Sequence, residues 1–213
     1  MSRVIETSKA IIKDNVQILK HIEKFTLPRS ILDSNSTIEY GTFIKVTYRR
    51  FMRLQPLVSR RVMVRDTYTN YIRCKYRYEP VGLKRSLTLD EPSISQSELK
   101  EQIYNSLQFI VQAVTYSENI SSVTLRRDIT LARQILKNLL TVEYEKLKGD
   151  SEKKWQYKEN QPTNSNVIDF NIEFNHLKPF NSKLPKDKEN KFVAIRSFDE
   201  CLIYLNKTLK TIL

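Results

Sequence analysis

Three glycines in 213 residues leave little means of making tight turns with positive φ. A hairpin-rich protein, or one that cradles phosphate in a glycine-rich loop, is a poor fit to such a chain, and a helical protein is a good one. The apolar residues are spaced accordingly. From Thr42 to Val58, residues Phe43, Val46, Phe51, Leu54 and Val58 recur every three to five positions, which predicts an amphipathic helix with Pro56 placed to kink its last turn. A second helix is expected from Val62 to Tyr78, with Val64, Tyr68, Tyr71, Ile72 and Lys75 on one side and Arg65, Arg73 and Arg77 on a neighbouring one. Pro80 and Gly82 read as its stop.

A third helix is predicted over about 97–117 from the stripe Leu99, Ile103, Leu107, Ile110, Val111 and Val114. A fourth follows the cap candidates Ser121 and Ser122, carries Leu125, Ile129, Ala132, Leu136, Leu139 and Leu140, and ends at Gly149. These segments make 42–148 a basic helical bundle. Residues 149–190 shift to Lys, Glu, Asn, Gln, Ser and Pro, interrupted mainly by Val167–Phe174 and Phe180, and are expected to form a disordered, flexible insert. In 191–213, Phe192–Ile195 reads as a strand or extended lead-in. Ser197 then caps a last helix, with Glu200 at the capping-box position and Phe198, Leu202, Leu205, Leu209 and Ile212 on the face that returns to the bundle. The N-terminal segment, 1–41, fits either a helix or a pair of strands between Val4 and Phe25.

Little in the chain announces chemistry. His21, His176, Cys74 and Cys201 have no metal-site spacing, no histidine is placed to serve a nucleophile, and no Walker or dinucleotide glycine pattern occurs. We therefore expect no enzyme activity, no cofactor and no metal. No apolar run approaches the roughly 18 residues of a membrane span, and the first 27 residues lack the unbroken apolar core of a signal peptide and carry the acids that transit peptides avoid.

Charge is the feature that points to function. The chain carries a net +12, and the block from Lys45 to Arg85 holds twelve basic residues against two acids, Asp66 and Glu79, so it supplies +10 of that total. Arginine predominates, which suits bidentate contact with carboxylate or phosphate. Tyr48, Tyr68, Tyr71, Tyr76 and Tyr78 interleave with the charges. The plain alternative is that the tyrosines edge the core and the arginines cover them with their alkyl stems. A docking surface is the sharper expectation, with Tyr48, Arg49, Arg53, Arg73 and Arg77 as its candidate residues. The partner is an acidic protein or, alternatively, nucleic acid gripped at its phosphates with the tyrosines stacked on bases.

The run Val46, Thr47, Tyr48, Arg49, Arg50, Phe51, Met52, Arg53 resembles the signature of the small mitochondrial LYR proteins, with Tyr48, Arg49 and Arg53 matching and Thr47 in place of the leucine. Tyr71–Arg77 is similar to that family's second-helix pattern, and Gln134–Leu140 takes the place of a later helix. The likeness implies a helical bundle of the LYR type that engages acylated acyl carrier protein, an acidic partner. Over most of the chain the sequence resembles the yeast "increased recombination centers protein 19" group. Tyr48–Leu57, Val64–Tyr78, Arg133–Tyr144 and Ile203–Leu209 carry that resemblance. It implies a non-enzymatic role in maintaining mitochondrial DNA, in sporulation and in genome integrity. It also implies a mitochondrial location, with cytoplasm or nucleus as the alternative.

Overall fold

The computed structural model describes residues 4–13, 16–32, 38–77, 81–91, 94–115, 123–148 and 186–213. The N-terminal segment takes the strand reading, with one strand more than expected. Strands β1 (Val4–Glu6), β2 (Ala10–Lys13) and β3 (Val16–Leu19) form an antiparallel meander in that order, with Ile5 opposite Ile12 and Ile11 opposite Ile18. Its β-branched residues favour extended backbone. The first connection manages without glycine, because the Thr7 hydroxyl donates to the Ala10 carbonyl at 2.7 Å and accepts from the Ala10 N–H at 3.0 Å. Lys20 pairs with Glu6 across the meander. Two short 3-10 turns follow, Ile22–Lys24 and Arg29–Leu32, and between them Phe25 and Leu27 are buried in the main core.

Helices α1 (Tyr40–Val58) and α2 (Val62–Arg77) match the predicted pair. α1 buries Phe43, Thr47, Phe51 and Leu54, and Pro56 sits inside its last turn. α2 turns Tyr68, Tyr71 and Ile72 into the same core, and the Tyr68 hydroxyl donates to the Phe51 carbonyl at 2.9 Å.

α2 ends at Arg77, ahead of Pro80 and Gly82 as expected, but the chain then turns helical again. A further helix, α3 (Val81–Leu89), begins right after the proline and runs through the glycine. A proline just ahead of a helix costs no hydrogen bond, since the first N–H groups of a helix have no partner within it. Asp90, at φ 52°, closes α3.

Helix α4 (Gln96–Val114) starts at Ser95, whose hydroxyl accepts from the Glu98 N–H at 3.2 Å. With α5 (Val123–Lys148) it supplies the expected stripes, Ile103, Leu107, Ile110, Val111 and Val114 against Ala132, Leu136, Leu139 and Leu140. α1 packs on α2 and α4, and α5 packs on α2 and α4, so the four close a bundle around one core.

The last helix, α6 (Lys186–Leu209), begins well before Ser197. Phe192–Ile195 is therefore helical rather than a strand, and Ser197 caps nothing. Glu200 accepts from Arg196 at 2.7 Å, one turn away, instead of closing a capping box. The expected insert lies outside the described residues up to 185, and 186–190 belong to α6. Lys210 ends the helix at φ 51°, with the Thr211 N–H returning to the Asn206 carbonyl at 2.9 Å, a cap usually given to glycine. The Asn206 side chain holds the Leu213 N–H and carbonyl at 2.7 and 2.6 Å, and the Ile212 N–H donates to Ser106 at 2.7 Å, so 210–213 fold back onto α4.

α6 is anchored by buried charge. Lys146 of α5 donates to Glu143 at 2.7 Å and to Asp199 of α6 at 2.8 Å, with side-chain exposures of 2, 5 and 3%. Burial works against the Lys146 ammonium, and the two carboxylates more than offset it, so its pKa lies above the usual lysine range. Glu91, beside α3, receives both Lys207 of α6 at 2.5 Å and Arg85 of α3, with Nε at 2.8 Å. The hydrogen bond from Lys207, then that from Arg85, holds its carboxyl below the ordinary range.

Candidate docking surface

The basic block folds into α1, α2 and the first half of α3, and the bundle sorts its charges by exposure. Lys45, Arg49, Arg53, Arg60, Arg61 and Arg77 are exposed. Lys84 is buried, and Arg85 is occupied by Glu91 and by Glu98, at 3.3 Å from Nη1. Among the described residues none of Lys45, Arg49, Arg60, Arg61 or Arg77 has an ion-pair partner.

Helix geometry sorts them further. Lys45, Arg49 and Arg53 stand four residues apart and so form one row along α1. Arg53 donates through Nη1 to the Lys24 carbonyl at 3.2 Å, which places the row beside the 3-10 turn of the N-terminal segment, on the flank of α1 turned away from α2. Arg50, next to it, faces Glu23; burial, with Arg53 adding to it, lowers its pKa from the usual arginine value.

Tyr48 lies on the opposite flank. Its ring is 5.3 Å from that of Tyr76 on α2, and Tyr76 in turn makes an edge contact with Phe51 at 5.9 Å. Arg73, one turn before Tyr76, is half-buried, and its Nε is enclosed without an acceptor among the described residues. Arg77 is exposed at the end of α2. The five predicted residues are thus split into two groups: Arg49 and Arg53 on one side of α1, and Tyr48 with Arg73 and Arg77 on the α2 side. Lys45 completes the first group. It belongs to the charged block but was not among the candidates, although its spacing of four from Arg49 is the signal that finds it.

The tyrosines mostly follow the plain alternative. Tyr68 is fully enclosed and Tyr71 is buried, and burial raises the phenol pKa of both Tyr68 and Tyr76 above the usual value. These rings are core, so they do not stack on bases. Tyr78 lies outside the described residues, as does His176. His21 is exposed beside Glu23, with Nδ1 3.4 Å from its carboxylate, and neither Cys74 nor Cys201 is in a disulfide. Among the described residues no group of His, Cys, Asp and Glu is arranged to hold a metal, and no helix is long and apolar enough to cross a membrane.

The family model for increased recombination centres protein 19 matches residues 5–213. The chain belongs to that family. Its relatives named increased recombination centers protein 19 include the protein of Vanderwaltozyma polyspora, 36% identical over 97% of this chain and 95% of its own length. That of Zygosaccharomyces rouxii is 35% identical over 98% of each chain, and one from Saccharomyces cerevisiae is 34% identical over 99% of this chain and 97% of its own length. No solved structure matches the fold. The match takes in both the sheet and the helical bundle, so the N-terminal meander belongs to the family's unit and not to an appended tail.

Proposed function

We propose that the chain is a non-enzymatic adaptor in genome maintenance that docks an acidic protein on the Lys45, Arg49 and Arg53 row. One observation carries this reading: three exposed cations in register on one helix, with no acid opposite Lys45 or Arg49 among the described residues. Like charges at this spacing repel one another by a few tenths of a kcal/mol per pair, and an anionic partner reverses that sign. The name of the relatives ties the family to recombination centres, which supports a part in genome integrity. The reading extends to maintenance of mitochondrial DNA, to sporulation and to a mitochondrial location. Acyl carrier protein is the acidic partner that the likeness to LYR proteins suggests, and Arg73 with Arg77 form a second contact on the α2 side.

Direct nucleic-acid binding by the same block is less well supported, because Tyr68 and Tyr71 are buried and Tyr48 packs on Tyr76. Among the described tyrosines of the block none is left free to stack, so phosphate contacts carry that reading.

The test is affinity purification from respiring cells of the wild type and of Arg49→Glu with Arg53→Glu, read by mass spectrometry. Recovery of acyl carrier protein with the wild type and its loss with the double variant is expected. Equal recovery with both, or none with either, would contradict the docking.

A further inference from the structure

Away from the Lys45 row, the α1–α2 turn, the start of α2, the end of α4 and the middle of α5 enclose a groove of about 750 Å³. Leu136 and Leu140 of α5 and Val114 of α4 line it from the core side, and all three are buried. Leu57 and Val58 are half-buried in its wall, and Met63 is 47% exposed there. A groove of this volume, apolar at its floor with a few charged side chains around it, has the form of a binding site.

The rim is cationic. Arg61 stands on the α1–α2 side, and Arg133 and Lys137 stand on the α5 side, one turn apart. The Arg133 Nε donates to the Ala113 carbonyl at 3.2 Å, which fixes that guanidinium over the end of α4. Arg61 and Lys137 have no ion-pair partner among the described residues. Glu145, two turns beyond Lys137, is the acid that lines the far end.

We infer that this groove receives an acidic amphipathic helix of a partner protein. A single fatty-acid carboxylate would satisfy one side of a rim that has cations on both. A second copy of this chain would bring its own net +12 to a positive rim. A helix with an apolar stripe at three- and four-residue spacing covers Met63, Leu57 and Val58 while acids on its two flanks meet Arg61 and Lys137. The reach fits as well. From Arg133 to Glu145, α5 rises roughly 18 Å, the length of a helix of about twelve residues at 1.5 Å each. Glu145 sets the direction, because the acid-rich end of the partner helix lies over Lys137 and a basic residue lies near Glu145.

The inference rests on the reading of the chain as a docking protein, but uses residues separate from the Lys45 row. Its test is a titration of the full chain into a fluorescent synthetic peptide of about twelve residues, with leucines at helical spacing and glutamates on both flanks, followed by anisotropy. Saturable binding is expected. It weakens at least tenfold with Arg61→Glu plus Lys137→Glu, persists with Lys137→Arg, and is unchanged by Arg49→Glu with Arg53→Glu. Thermal unfolding of the double variants checks that each is folded. Absent binding, equal binding of a scrambled or lysine-flanked peptide, displacement of the peptide by stoichiometric oleate, or self-association of the chain that covers the groove would each overturn it. Loss of acyl carrier protein docking with Arg49→Glu and Arg53→Glu, alongside unaltered peptide binding, separates the two sites.

Discussion

Thr47 is fully buried with its hydroxyl donating to the Phe43 and Ile44 carbonyls, each at 2.9 Å. The hydroxyl needs no partner outside its own helix, so the site accepts a small β-branched residue. Leucine there adds volume to a packed interior: Thr47→Leu is expected to destabilise the fold by about 1–3 kcal/mol, and Thr47→Val by less, measured by urea unfolding. At Tyr68, Tyr68→Phe removes the bond to the Phe51 carbonyl and is expected to cost about 1 kcal/mol with the fold otherwise intact. The spacing of Val64, Tyr68, Tyr71 and Ile72 made the inward face of α2 legible. Which flank Tyr48 took was not, because a half-apolar ring serves equally at a core edge or on a contact surface, and the choice was made by Tyr76 on another helix.

Elements held by local spacing were readable, and those held by distant partners were not. The apolar stripes of α1, α2, α4 and α5 fixed those helices. α3 was hidden by a proline and a glycine that usually stop a helix, and the early start of α6 by the polar run 186–191, which carries no apolar stripe. Further along α6, Asp199 is bonded to Lys146 of α5, 53 residues earlier, beside Glu143. That triad is expected to matter. Lys146→Met leaves Glu143 and Asp199 buried without a cation and should cost about 3–5 kcal/mol, whereas Lys207→Met at the exposed end of α6 should change unfolding far less. The Glu91 contact gives a pH dependence of known sign. Its carboxyl is depressed in the folded state, so its stabilisation is complete above the unfolded value of about 4.3 and is lost as pH falls through the folded value. Amide exchange in 200–209 is therefore expected to quicken in that acid range, and Glu91→Gln to remove the change.

Across the whole molecule the bundle separates cations that serve the fold from cations that face outward. Arg85 and Lys146 are tied to carboxylates inside the structure, while Lys45, Arg49, Arg61 and Lys137 project from it without one among the described residues. The sequence located the charge in 45–85 but could not divide it, since the division depends on which flank of α1 the N-terminal segment and α2 each cover. The central claim is that the outward row on α1 grips an acidic protein. Calorimetric titration of the full chain with purified acyl carrier protein, for the wild type and for Lys45→Glu, Arg49→Glu and Arg53→Glu combined, tests it most directly. The account predicts a saturable wild-type complex that weakens at higher salt and at least a tenfold loss in the triple variant, about 1.4 kcal/mol, at an unchanged melting temperature. Equal affinity of the two proteins, or no complex with either, would contradict it.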